Sequence, residues 1–232
     1  MARITTGIEA FDKYLATRGG TPSDATNASD IDRNVRAVTI SRTTRHLERL
    51  AGLPALRRLV MRAPTDASLA SIGGATGVED LELYGGTMTS LTALGGLRKL
   101  RYLTISVASR LRTLEGLDGL TALQYLSVWH CAALTSIAPL QGLRRLRYVF
   151  LDGNMYKPMR LESLAPLAEL GDLEVLKLHN VRVRDGDLTP LHGLHRLRLL
   201  DLPDHFAAPE VSALRAALPA AQGRWRSRNQ GV

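Results

Sequence analysis

The sequence predicts an α/β solenoid of about eight stacked coils, each giving one strand to a parallel sheet. Three observations predict it. Leucines recur at every third residue and then the spacing drops to two, as in LTALGGLRKLRYLTIS, residues 91–106, where they fall at 91, 94, 97, 100 and 103 before Ile105. The figure returns at Val38, Leu59, Leu81, Leu103, Leu126, Val149, Leu176 and Leu200, at intervals of 21, 22, 22, 23, 23, 27 and 24 residues. The twelve residues that lead into each strand keep their length, and all variation falls just after the strand.

Each element follows from that pattern. A spacing of two is the period of a strand with one buried face. One copy cannot bury its leucines alone, whereas stacked copies bury them in a continuous core. Parallel strands need a long crossover, and each return segment supplies it. The strand-like pair Val38 and Ile40 opens the series. Copies then begin at Leu47, less regularly at Leu69, and at Leu91, Leu114, Ile137, Leu164 and Leu188. The solenoid is therefore expected over 35–206. Residues 1–34 read as an N-terminal helix with the stripe Ile8, Phe11 and Leu15, a candidate cap, and a flexible linker in GGTPSDATNASD, residues 19–30. Residues 207–232 read as a capping helix and a loose basic tail. In APEVSALRAALP, Pro209 opens the helix and Val211, Leu214 and Leu218 share one face.

Two stretches carry a resemblance. LQYLSVWHC, residues 123–131, and LRYVFLDGN, residues 146–154, fit L-x-x-L-x-L-x-x-N/C throughout, with Cys131 and Asn154 in the last place. The chain resembles the leucine-rich repeat family over about residues 35 to 220. Its threefold leucine spacing is similar to the short-repeat bacterial subclass that includes internalins. The resemblance implies a right-handed curved superhelix with the sheet on its concave face. Most copies depart from the pattern, with Pro64, Gly86, Ala108, Val181 and His205 where the closing Asn would stand. In the family that Asn ties successive loops together, so irregular loops are expected at those places.

Composition narrows the function. The chain is 45% hydrophobic and 22% charged, an ordinary globular balance. No apolar run approaches the roughly 18 residues that span a bilayer. The first residues lack the apolar core of a signal peptide, which predicts a cytoplasmic protein with no membrane partner. The single cysteine, Cys131, excludes an internal disulfide and is assigned to packing. Without a secretion signal, the glycosylation pattern at Asn27 reads as coincidence. The net charge is +8, but 26 of the 30 cations are Arg, which GC-rich coding produces whatever the function. His192 and His195 lack a third ligand. No G-x-x-x-x-G-K-[ST] or G-x-S-x-G motif occurs. The sequence therefore predicts no enzyme, no metal and no cofactor.

What remains is a surface. With Leu103, Ile105 and their equivalents inward, the alternate residues form three columns on the open face of the sheet. The first is Ala37, Arg58, Asp80, Tyr102, Tyr125, Tyr148, Val175 and Leu199. The second is Thr39, Val60, Glu82, Thr104, Ser127, Phe150, Lys177 and Asp201. The third is Ser41, Arg62, Tyr84, Ser106, Trp129, Asp152, His179 and Pro203. Six of the chain's eleven aromatics stand there, clustered in the middle coils. Half-exposed rings in that number predict an interface, since hot spots favour Trp, Tyr and Arg. The expected site is Tyr84, Tyr102, Tyr125, Trp129, Tyr148 and Phe150, with Arg62, Asp80, Glu82, Asp152 and Lys177 fixing the register of an unidentified protein or peptide. The loop after Asn154, with Met155 and Tyr156, is a candidate wall. Mixed charge on this face counts against nucleic acid. Two alternatives stand beside this reading: nucleic acid along a rim of Arg57, Arg101, Arg147 and Arg198, and sugar stacked on the tyrosines.

Overall fold

The threefold spacing of leucines is a spacing of backbone hydrogen bonds. A computed structural model describes residues 22–154 and 156–225. In it the amides of Leu94, Leu97 and Leu100 bond to the carbonyls of Leu91, Leu94 and Leu97, each at 2.8 Å. The same chain of bonds runs through Leu117, Leu120 and Leu123, through Leu140, Leu143 and Leu146, and through the two copies that follow. Bonds to the third residue back wind three residues per turn, so side chains three apart eclipse. That winding turns every leucine of these copies to one side, where all are buried. Short 3-10 helices mark the winding at Leu47–Gly52, Thr92–Gly96, Ala138–Leu140, Ala165–Leu167 and Thr189–Leu191. The less regular copy differs. There Thr65 and Ser68 form a reciprocal capping box that starts a true helix, α1, Asp66–Ile72.

Each winding delivers the chain into a strand. In order these are β1 (Ser23–Asn27), β2 (Ala37–Arg45), β3 (Arg58–Arg62), β4 (Asp80–Tyr84), β5 (Tyr102–Ser106), β6 (Tyr125–Trp129) and β7 (Tyr148–Asp152). Then come β8 (Met159–Leu161), β9 (Val175–His179), β10 (Val181–Val183) and β11 (Leu199–Asp201). Nine of them form one sheet, β1-β2-β3-β4-β5-β6-β7-β9-β11, with every pair parallel. β8 and β10 pair separately, on the exit side of the coils. The leucines behind the sheet form one continuous core from Val38 to Leu218. The architecture is the expected α/β solenoid.

The two ends differ from expectation. Residues 23–30, read as part of a flexible linker, form β1 and a 3-10 turn at Ala28–Asp30. The Thr44 hydroxyl donates to the Ala25 carbonyl at 2.6 Å, and Ala28 is buried. β1 thereby covers the edge of β2 with a short polar strand, which blunts an otherwise open edge. The stripe Ile8, Phe11 and Leu15 lies outside the described residues. At the other end α2, Ala208–Ala217, buries Val211 and Leu214, and Leu218 follows them inward. The start of the expected loose tail is ordered. Gln222 and Trp225 bridge Leu199 and Leu202 beside β11, and Trp225 is buried against Arg215. No helix among the described residues is long and apolar enough to cross a membrane.

Candidate recognition surface

The strand register assembles the three columns as the alternation requires. Arg58, Asp80, Tyr102, Tyr125, Tyr148 and Val175 are successive cross-strand partners, as are Glu82, Thr104, Ser127, Phe150 and Lys177. Arg62, Tyr84, Ser106, Trp129, Asp152 and His179 complete the third row. Ring centroids lie 6.5 Å apart for Tyr102 and Tyr125, and 6.3 Å apart for Tyr125 and Tyr148. Phe150 meets Tyr125 edge-on at 5.6 Å.

Exposure corrects the expectation of six half-exposed rings. Tyr125 is 4% exposed and Tyr148 is 7% exposed. Neighbouring strands stand only about 4.8 Å apart, so a bulky ring is covered by the rings on both sides. Val175 and Leu199 close one end of the row. Cationic side chains lie over the rest: Arg101 above Tyr102 at 5.7 Å, Arg147 above Tyr148 at 5.9 Å and Lys177 above Phe150 at 5.4 Å. Their aliphatic stems shield apolar surface while the charges stay wet. The row is thus a second small core, separate from the leucines, with Tyr102 and Phe150 half-buried at its margin. Burial pushes the Tyr148 hydroxyl pKa up. Glu174 adds to the rise, and Arg147 and Arg198 oppose it.

The charged members of the predicted site also divide. Asp80 is buried and Glu82 half-buried, and both grip Arg58, at 3.5 and 2.9 Å. Arg58 thereby ties the two carboxylates together within the sheet face. Arg62 is exposed, with Asp24 of β1 at 4.0 Å. Burial raises the Asp152 carboxyl above its ordinary pKa, and His179 and His130 draw it part of the way back.

The exposed apolar groups lie instead at and beyond the C-terminal ends of the middle strands. Among the described residues the large exposed hydrophobics are Tyr84, Val107, Trp129 and Tyr156. Tyr84 ends β4, Val107 follows β5, Trp129 ends β6 and Tyr156 follows β7. The indole N–H of Trp129 donates to the Ser127 hydroxyl, which fixes the ring over the sheet. Val107 was not foreseen. It turns the chain out of β5 at φ 60°, a conformation that a β-branched residue rarely adopts, and its amide bonds to the Trp129 carbonyl at 2.9 Å. No sequence signal distinguishes it, because the equivalent turn at Gly85 uses glycine.

The rim of arginines is not a basic stripe. The residues before successive strands are Arg57, Glu79, Arg101, Gln124, Arg147, Glu174 and Arg198, joined amide to carbonyl from one coil to the next. Arg57 meets Glu79 at 3.5 Å, and Arg147 meets Glu174 at 2.5 Å. The alternation is present in the sequence, where Glu79, Gln124 and Glu174 separate the four arginines.

Among solved structures the chain is similar to internalin C2 of Listeria monocytogenes, at 25% identity over 73% of this chain and 69% of that one, with a TM-score of 0.57. A leucine-rich repeat protein of Leptospira interrogans matches at 14% identity over 93% of this chain and 63% of that one, with a TM-score of 0.56. The chain has the leucine-rich repeat fold. Internalin F of Listeria monocytogenes gives 18% identity over 83% of this chain and 67% of that one, at a TM-score of 0.50. No family model matches the sequence, and no curated protein matches it.

Within this leucine-rich repeat fold, Cys131 is fully buried and donates to the Trp129 carbonyl at 3.1 Å. Burial pushes its pKa up to about 11. A thiol so protonated and enclosed is a poor nucleophile. We expect no labelling of the native protein by a thiol-specific disulfide reagent at pH 8 and one equivalent after denaturation. Rapid native labelling would overturn the packing role. No cluster of three metal-ligating side chains occurs among the described residues.

Proposed function

We propose that this protein is a non-catalytic recognition module whose protein or peptide partner docks on the open face of the sheet, centred on Tyr84 and Trp129. One observation carries the reading. Every large exposed hydrophobic among the described residues stands at or just past the C-terminal end of four consecutive strands, β4 to β7. Desolvating such a cluster supplies binding energy, and Trp and Tyr are the residues that most often do so. The buried tyrosine row serves as a rigid backing, so the exposed rings lose little freedom on binding. Arg62, Asp152 and Lys177 supply polar register at the margin, whereas Asp80 and Glu82 act through Arg58.

The rim and the row weigh against the alternatives. A phosphodiester backbone laid along the rim would meet Glu79 and Glu174 between the arginines. A sugar would find Tyr125 and Tyr148 already covered on both sides.

Affinity capture followed by titration of the captured protein tests the proposal. Trp129→Ala is expected to weaken that complex by about 2 kcal/mol, with the thermal midpoint of the free protein unchanged because the ring is half-exposed. A partner that binds Trp129→Ala and Tyr84→Ala as tightly as the parent would refute this face as the site.

A further inference from the structure

On the exit side of the coils, β8 and β10 set Arg160 directly across from Arg182. Arg184 follows two residues on, on the same outward face. Like charges opposed across a strand pair are destabilising. Several cations of the approach side find carboxylates: Arg144 meets Glu169, Arg147 meets Glu174 and Arg196 meets Asp172. Arg160, Arg182 and Arg184 are all exposed, and none forms an ion pair with a described residue. With Thr135, Glu162 and His205 they line a groove of about 440 Å³.

The backbone beside them is unfinished. β10 is the edge of its two-stranded sheet. The Asn180 carbonyl and the Arg184 amide bond towards β8, at 3.0 and 2.9 Å. Alternation therefore turns the amides and carbonyls of Val181 and Val183 the other way. The Val183 amide is met by a side chain, the Nε2 of His205, at 3.2 Å. An imidazole nitrogen that accepts is neutral, and here it stands where the carbonyl of a further strand would be. Val181, Arg182 and His205 also border a second groove, of about 430 Å³, along this edge, where Arg224 stands with Asp201 and Asp204.

We propose that β10 is a docking edge for an extended acidic segment of a partner protein, which adds a strand beyond Val181–Val183 and displaces His205. An added strand lies about 4.8 Å from β10, so its outward side chains fall beside Arg182 and Arg184. Carboxylates there form charge-assisted bonds and relieve the repulsion with Arg160. Strand addition supplies main-chain bonds, and the arginines supply selectivity. Nucleic acid fits less well, because a phosphodiester chain has no amides or carbonyls to pair with the edge. This site is separate from the cluster around Tyr84 and Trp129 on β4 and β6.

The test titrates a fluorescein-labelled peptide that alternates Glu with Val into the full chain. Saturable binding is expected, weakened about tenfold in the R182Q/R184Q double variant and unchanged in Trp129→Ala. Both arginines are exposed, and an unaltered thermal melt of the double variant keeps its result interpretable. Replacing Glu by Gln in the peptide, or methylating its alternate backbone amides, should each weaken binding. The proposal is overturned if the Glu peptide does not saturate or if R182Q/R184Q binds it equally. Equal binding of the methylated peptide would remove strand addition, and tighter binding of a single-stranded oligonucleotide would reassign the groove.

Discussion

Tyr125→Ala is expected to lower folding stability by about 3 kcal/mol, the cost of removing a buried aromatic that its neighbours cannot replace. Tyr102, Tyr148 and Phe150 surround the ring at 5.6 to 6.5 Å between centroids. They belong to the two strands that flank β6 in fixed register, so the gap stays open. Part of the loss is the offset and edge contact between rings, worth about 0.5–1.5 kcal/mol per pair beyond the area buried. Trp129, on the same strand, provides the contrast: it is 48% exposed, and its removal should cost the free protein far less. Urea unfolding of the two variants separates a supporting ring from a recognition ring. Equal midpoints would mean that the row is not a core.

That contrast marks how far the sequence could be read. The spacing of two assigned every residue of β3 to β7 to its face, and the observed register agrees residue for residue. Repeats are legible because identical side chains recur at a period that only one winding satisfies. Exposure was harder, because it depends on what lies beside a residue in three coils at once. Tyr125 and Trp129 both sit on the open face, yet one has rings on both sides and the other has Ser106 and Asp152 as its cross-strand neighbours. Asp80 also falls on the open face by its spacing, yet it is buried, with Arg58 of the adjacent strand 3.5 Å away. β1 was hidden for a different reason: Ser23–Asn27 is polar and fits no repeat, and it is ordered only because β2 offers it an edge. β10 and its arginines fell in the variable exit segments, where no period constrained the reading.

The exit segments vary in length while the approach side does not, and Gly116 shows what enforces the constancy. Ala93, Pro139, Pro166 and Pro190 stand at the equivalent place in neighbouring copies, each within a 3-10 helix. The copy that begins at Leu114 has no such helix and turns at Gly116 with φ 101°. A Cβ there would stand 2.4 Å from the Leu91 carbonyl oxygen and 2.5 Å from the Thr92 Cα, both backbone atoms of the preceding coil. Gly116→Ala therefore meets two costs, about 1–3 kcal/mol of dihedral strain and a similar amount for the backbone shift that relieves the clash. A total near 4 kcal/mol is expected. Gly171→Ala is the control, since its Cβ would meet nothing within 4 Å and its φ is not positive; it should change stability by less than about 1 kcal/mol. Because each coil touches only its neighbours, the strain should appear first at one junction. Hydrogen exchange is expected to accelerate at the amides of Leu94, Leu97, Leu117 and Leu120 before the terminal coils respond. Wild-type protection at those amides in Gly116→Ala would show that close backbone approach does not set the distance between coils.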